Sequence, residues 1–376
     1  MGFPRPRYDI ADIVRTHRHD LEQQHWLSRP QQRVLTAISR CRTAALGGHL
    51  EVCTHCGHEH PAYNSCRNRH CPKCQALAQE KWIAARTEKI LPVPHFHLVL
   101  TLPAELRPLA MKYPVEIYTA FFHAVSELLL ELGRTHLKAT LGLTMVLHTW
   151  TRELAFHPHI HVLTTAGGLA LDGGRFIHVK KSKRGKLFLF HVTVMGQLLR
   201  GKMLDALRKL HRKGAFPELD PPAFDRLMAS LAAQKSWVVY AKAPFRKSKY
   251  VLSYLGRYTH RVGIANSRLV EVSEDHVTFR TKHGKTATLH PVEFLRRFVQ
   301  HVLPDGFHKI RHVGLYASAQ QAGALEQARA LLPASSAAPK AEPTPIEAPR
   351  ICPHCGGILL RIPLTALARA PPPAAA

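Results

Sequence analysis

The stretch Phe156-His157-Pro158-His159-Ile160-His161-Val162-Leu163 constrains the fold more than any other part of the chain. Its apolar residues Ile160, Val162 and Leu163 read as a buried β-strand. Side chains two apart on a strand point to one face, so His159 and His161 project together with Ile160 buried behind them. Two imidazoles side by side on a rigid strand suit a divalent metal. Ala166-Gly167-Gly168 is expected to end the strand in a turn, and Pro158 to place His157 at the strand's start or edge. The chain holds 27 histidines, so a chance His-x-His is expected, and His95-Phe96-His97 is another. The weight of the pair at 159 and 161 therefore depends on what surrounds it.

Eight cysteines raise that weight. No run of about 20 apolar residues marks a membrane span, and the first residues lack an apolar signal region, so the protein is expected in the cytoplasm. There, cysteines point to metal rather than disulfides. Cys53-x2-Cys56 and Cys71-x2-Cys74 form two zinc knuckles with fourteen residues between them. Each knuckle supplies two thiolates from one tight turn, and the two together are expected to close a tetrahedral structural Zn2+ site. Cys66 and His70 lie between them, able to replace a ligand or help a second ion. Arg67, Arg69 and Lys73 crowd the knuckle with positive charge suited to phosphates. Cys41 has no partner motif and reads as a small buried residue. Cys352-x2-Cys355 is a lone knuckle that cannot fill a tetrahedral site by itself, and its role stays open.

The charge names the class of partner. Lys and Arg number 52 against 26 Asp and Glu, a formal +26, with a pI near 10.2. A surplus of that size calls for a polyanion, and nucleic acid is the first choice. No single basic amphipathic helix dominates, which argues against a membrane surface. Between apolar arms in His178–Phe190 lies a basic turn with Lys180, Lys181, Lys183 and Arg184, either a solvated turn or a finger along a nucleic-acid backbone.

Periodicity orders the rest. Residues 1–45 read as a helical lead-in. A helix over 75–90 precedes a strand at 95–102 and a long helix at 114–132. Strands at 140–150 and 156–165 are close enough in sequence to pair antiparallel. Helices follow at 194–212 and 223–233, then a strand at 237–242. Tyr250, Tyr254 and Tyr258 repeat every four residues and share one face of a helix. Lys249, Arg257, His260 and Arg261 surround them, which fits a wet cationic surface better than an aromatic core stripe. Alternating strands span 268–290, Pro291 opens a helix, and an Ala/Pro-rich linker separates the last helix from the terminal knuckle.

Together these features suit one chemistry. A phenol with a pKa of about 10 is a poor nucleophile at neutral pH, so attack on a phosphodiester needs an activated phosphorus. A divalent ion on His159 and His161 would polarise the phosphate and stabilise the leaving 3′-oxygen. The tyrosine would be left on the 5′-phosphate. A second tyrosine one turn away would act on a second strand, and rejoining is the reverse reaction with no nucleotide cofactor.

The same residues carry a family resemblance. His159-Ile160-His161, after His157-Pro158, resembles the His-hydrophobic-His (HUH) motif of rolling-circle nucleases. The stretches YNSCRNRHCPKCQ, YLGRYTHRVGIANSRL and LPDGFHKIRHVGL resemble the two-tyrosine rolling-circle insertion-sequence transposases of bacteria, over roughly residues 20–318. The resemblance implies an α+β fold, an HUH-type antiparallel sheet flanked by helices and preceded by a small zinc-knuckle domain. It implies domains at 46–90 (zinc-binding) and 91–318 (catalytic), with the lead-in before them and a tail over 319–376. It implies cutting and rejoining of single-stranded DNA at the ends of a mobile element, in the cytoplasm at the nucleoid, with Mg2+ or Mn2+ as catalytic ion. The family's paired tyrosines fall on Tyr254 and Tyr258, with Arg257 and Arg261 beside them as DNA contacts. The third ligand of the metal is sought nearby: Glu153 and His148 lie just upstream and His157 is adjacent, with Glu153 the acidic candidate. Two other readings compete. One is a non-catalytic zinc-knuckle nucleic-acid-binding protein whose tyrosines stack on bases. The other is a metal-dependent hydrolase, which needs further ligands and leaves the charge unexplained.

Overall fold

Two capped helices begin the described chain. In α1 (Ile10–Gln24) the Asp9 side chain accepts from the Ala11 amide, satisfying one of the open N–H groups of the first turn. In α2 (Arg29–Arg40) Ser28 and Gln31 form a capping box and Pro30 sits in the first turn. The protein is described here by a computed structural model covering residues 6–87, 89–181, 185–245, 263–317, 322–333 and 350–364. After α2 come β1 (Gly48–Cys53), β2 (Glu59–Tyr63), α3 (Gln75–Thr87) and β3 (His95–Thr101). Then follow α4 (Arg107–Lys112), α5 (Pro114–Leu132), β4 (Ala139–Trp150), β5 (Phe156–Ala170) and β6 (Phe176–His178). The helices α6 (Val192–Arg212) and α7 (Pro221–Ala233) lead to β7 (Val239–Phe245). The chain continues through β8 (Leu269–Val272), β9 (Val277–Arg280), β10 (Thr286–Leu289), α8 (Pro291–Val299), β11 (Ile310–Gly314), α9 (Ala322–Ala330) and β12 (Leu359–Leu364). The architecture is α+β with antiparallel sheets. No helix among the described residues is long and apolar enough to cross a membrane.

The chain divides into two units. One is assembled from three separate stretches, Met1–Ala78, Ile264–Val302 and Ala338–Ala376. Here α1 packs on α2 and α8, burying Ile13, Leu35, Ile38, Leu295 and Phe298. Asn266 accepts from the Ile10 amide and donates to Asp9, and the rings of Phe279 and Phe294 lie 5.7 Å apart edge to face. A small sheet runs in the order β12-β1-β2, with Cys53 at the end of β1, and a second runs in the order β10-β9-β8.

The other unit spans Gln79–Gly263 and Leu303–Ala337. Its sheet runs β11-β4-β5-β3-β7, with β6 paired to β5. Residues of β5 that face α5 and α6, Ile160 and Val162, join Leu98, Leu100, Met145 and Leu147 in the main core with Phe121, Phe122, Leu199 and Met203. Helices cover one face, and the alternate residues of the same strands stand on the other.

The strand carrying the His pair is longer than its glycines suggest. Instead of turning at Ala166-Gly167-Gly168, β5 runs on to Ala170 and gains β6 as a partner, Gly167 opposite His178. The register against β4 shifts between Leu141 and Leu143, and Gly167 takes φ +140°. A Cβ on Gly168 would stand 2.2 Å from the Thr140 carbonyl oxygen. These glycines permit a bulge and a close backbone approach rather than a chain reversal.

Candidate metal centres and nucleic-acid surface

The open face of the sheet gathers imidazoles from three strands. On β5, His159 and His161 project together, and the register sets His148 of β4 opposite His159. His97 of β3 reaches the same face from the other side, its Nε2 2.9 Å from His161 Nδ1. The ligand nitrogens of His148, His159 and His161 all lie within 4.8 Å of one another. Farther along the face, Trp82, Ile90, Phe245 and Ile310 close over Val146 and Leu163. His148 and His161 are buried, and His159 is half-buried at the accessible edge.

The hydrogen bonds sort the nitrogens. His159 Nδ1 lies 2.7 Å from the carbonyl of His157. A carbonyl only accepts, so Nδ1 carries the proton and Nε2 presents a lone pair. That lone pair stands 3.1 Å from His161 Nε2. Adjacent positions of an octahedral ion with bonds of about 2.1 Å are about 3.0 Å apart, so the spacing fits two ligands of one cation. Burial holds His159 and His97 down to about 4. Burial, with the neighbouring His148, lowers His161 well below its ordinary range. His97, His159 and His161 are thus held in the neutral form, the form in which an imidazole binds metal. The residues present fit a divalent cation.

Other expected ligands lie elsewhere. Glu153 is exposed on the turn between β4 and β5, its amide donating to Thr151 Oγ1, and its carboxylate is outside the imidazole group. His157 accepts from the Arg107 guanidinium at 3.0 Å. His148 completes the group of three because an eleven-residue separation in sequence becomes direct opposition across an antiparallel pair. Its signal was the strand pairing itself. Lys242 of β7, which no motif singled out, is set opposite His97 by register, and its charge helps depress His97 and His161. Tyr254, Tyr258, Arg257 and Arg261 lie outside the described residues, as do Lys183 and Arg184.

The cysteines fall into two groups of four, dividing the two N-terminal knuckles that the spacing placed in one site. Cys71 and Cys74 gather with Cys66 and Cys41. Cys74 Sγ lies 3.6 Å from Cys41 Sγ and 3.7 Å from Cys66 Sγ. Cys41, read from its isolation as a packing residue, ends α2 and is brought to the knuckle by the fold. His70 turns its ring to Asn68 and is not in the group. A hydrogen bond from Cys71 brings the Cys66 thiol down to about 5, and burial pushes Cys41 up to about 11. Cys53 and Cys56 gather instead with Cys352 and Cys355.

The basic residues named from the sequence are mostly at the surface. Arg67, Arg69, Lys180 and Lys181 are exposed, and Lys73 is paired with Asp9. Lys181 bridges Leu187 across the base of the basic turn, as a hairpin would.

A family described as "Transposase zinc-binding domain" matches residues 13–102, and one described as "Putative transposase" matches 142–323. A protein of Sinorhizobium fredii (strain NBRC 101917 / NGR234), "Putative transposase y4qJ", is 41% identical over 355 residues, 90% of this chain and 88% of the relative. The "Transposase for insertion sequence element IS801" of Pseudomonas savastanoi pv. phaseolicola is 27% identical, covering 84% of this chain and 77% of the relative. No solved structure matches the chain significantly. With a zinc-binding region ahead of an imidazole-bearing antiparallel sheet, and near-full-length similarity to such relatives, the chain belongs to the rolling-circle insertion-sequence transposases that carry an N-terminal zinc-binding domain.

Proposed function

We propose that this transposase nicks and rejoins single-stranded DNA at the ends of its mobile element through a 5′-phosphotyrosyl intermediate. The convergence of His148, His159 and His161 on the open face of the sheet carries the proposal. These three side chains would hold a divalent cation, Mg2+ or Mn2+. When bound, the cation withdraws charge from the scissile phosphate and the leaving oxygen. His97 supports the arrangement by hydrogen-bonding His161 on the side away from the site. Lys242 adds positive charge on the same face, where a phosphodiester would lie.

The nucleophiles are assigned by resemblance to Tyr254 and Tyr258. The phenol oxygen of one attacks phosphorus, the P–O3′ bond breaks, and the 3′-hydroxyl leaves with a proton. One phosphoester replaces another, so the energy for rejoining is kept in the adduct and no nucleotide is consumed. The second tyrosine takes a second strand while the first remains held. The group of Cys41, Cys66, Cys71 and Cys74 holds a structural Zn2+. Arg67, Arg69, Lys73 and the basic turn at Lys180, Lys181, Lys183 and Arg184, with Arg257 and Arg261, contact DNA phosphates.

The test is a covalent-adduct assay with labelled single-stranded element ends and Mn2+ or Mg2+, resolved on a denaturing gel. Label migrating with the protein is expected, lost with EDTA and reduced in Tyr254→Phe or Tyr258→Phe. Retention of the adduct in a Tyr254→Phe/Tyr258→Phe double variant would overturn the assignment of the nucleophiles. Tight, metal-independent binding to authentic ends without any adduct would favour a purely binding protein.

A further inference from the structure

The terminal knuckle stands against the first one. Cys352 and Cys355 lie about three hundred residues from Cys53 and Cys56, yet Cys53 Sγ is 3.4 Å from Cys355 Sγ and Cys56 Sγ is 3.8 Å from Cys352 Sγ. All four sulfurs fall within 4.8 Å of one another. Four thiolates around zinc at about 2.3 Å form a tetrahedron with edges of about 3.8 Å. The separations of 3.4 and 3.8 Å are close to that edge, and all four sulfurs fit within one such site. Two disulfides would need S–S contacts of about 2.05 Å.

The two knuckles are built alike. Cys53-Thr54-His55-Cys56-Gly57 and Cys352-Pro353-His354-Cys355-Gly356 each turn back through a glycine with positive φ, +71° at Gly57 and +76° at Gly356. In each, the glycine amide bonds the carbonyl of the first cysteine. Backbone amides also aim at sulfur: those of His55 and Cys56 at Cys53 Sγ, and that of Gly357 at Cys355 Sγ. Amides directed at sulfur stabilise thiolates and orient them as ligands. His58 and His354 lie ring against ring at 4.1 Å across the junction.

The surrounding backbone keeps the knuckles together. β12 pairs antiparallel with β1 from Gly48–Leu364 to Cys53–Leu359, and the Thr54 amide reaches the Ile358 carbonyl. The buried Glu51 carboxylate on β1 pairs with Arg350 just before the terminal knuckle. The small sheet exposes Leu360 and Ile362, so its apolar burial alone is a weak hold on a terminal strand. A cross-linking ion would supply what the sheet lacks.

We propose that Cys53, Cys56, Cys352 and Cys355 bind a second structural zinc ion that ties the C-terminal strand to the N-terminal unit. It is distinct from the Cys41 group, and the zinc-binding family match ends at residue 102, far short of Cys352. The protein would then carry two tetrathiolate zinc ions in addition to any cation on the imidazoles.

The experiment counts zinc in the full chain, purified under reducing conditions and dialysed against EDTA to strip the imidazole site. Thiol-bound zinc is released with a mercurial reagent and measured with a chromophoric chelator. Two equivalents are expected, falling to one in Cys352→Ser/Cys355→Ser and, at the other site, in Cys71→Ser/Cys74→Ser. Cys355→His, which keeps a zinc ligand, should restore the second equivalent. One equivalent in the wild-type chain, or no loss in Cys352→Ser/Cys355→Ser, would overturn the proposal. So would a Cys53–Cys355 or Cys56–Cys352 disulfide in the mass spectrum of the reduced preparation. X-ray absorption at the zinc edge of the wild-type chain is an independent check needing no variant. All-sulfur coordination for both ions is expected, and nitrogen from His58 or His354 would refute the four-cysteine assignment. None of these readouts depends on DNA cleavage.

Discussion

His159 uses one nitrogen for its own backbone and leaves the other for the site. The bond from Nδ1 to the His157 carbonyl fixes the tautomer, and the register places His148 opposite. His148→Ala should therefore weaken Mn2+ binding by on the order of tenfold or more, measured by titration calorimetry, while thiol-bound zinc stays unchanged. Equal affinity would remove His148 from the centre. A second residue-scale consequence concerns His95, which is fully enclosed. Its Nδ1 donates to the Val93 carbonyl and its Nε2 accepts from the Tyr316 hydroxyl, both at 2.7 Å. Burial pulls the imidazole down to about 4, whereas in the unfolded chain it titrates near 6.5. Between those values the unfolded state binds a proton that the folded state refuses, so stability falls as pH drops from about 6.5 to about 4 and levels off below. A shift of that size corresponds to about 3 kcal/mol. Urea denaturation at pH 7 and 4.5 should show a smaller loss in His95→Gln than in the wild type. An identical loss would mean His95 is not the group that titrates.

At the scale of elements, β4 and β5 define the site because each is paired on both sides. β11 closes the outer edge of β4, and its last residue is held tightly. Gly314 has φ +63°, and a Cβ there would stand 1.9 Å from the Leu141 carbonyl oxygen. Gly314→Ala meets both an unfavourable backbone region and a backbone atom that cannot yield. It should cost at least about 2 kcal/mol, seen as a lower thermal midpoint or loss of soluble protein. An unchanged melt would show that β11 can separate from β4 without consequence. The sequence marked β4, α5 and the start of β5 closely. It misread the glycines after Leu163 because a bulge and a turn draw on the same residue type.

Across the whole molecule, charge sets the partner and its salt dependence. A formal +26 on a chain belonging to a transposase family should bind single-stranded DNA through released counterions. If about six phosphates are covered, the logarithm of the binding constant should fall with the logarithm of salt at a slope of about −4. Fluorescence anisotropy between 50 and 300 mM NaCl measures it. A slope near zero would show that the basic surface does not engage the backbone.

Composition and local pattern by themselves pointed to a polyanionic partner and to bound metal, and the family came from the resemblance of whole motifs. Charge implied a polyanion, cysteine pairs implied zinc, and a two-residue period put His159 and His161 on one face. Each of these is a short-range property, fixed by chemistry or by spacing along one element. Only the tertiary structure decided which groups from distant segments share a site. Strand register brought His148 and His97 to the pair, the end of α2 delivered Cys41 to the Cys71 knuckle, and β12 carried Cys352 and Cys355 to Cys53 and Cys56. Long-range pairing depends on which strands meet and in what register, and no local spacing encodes that.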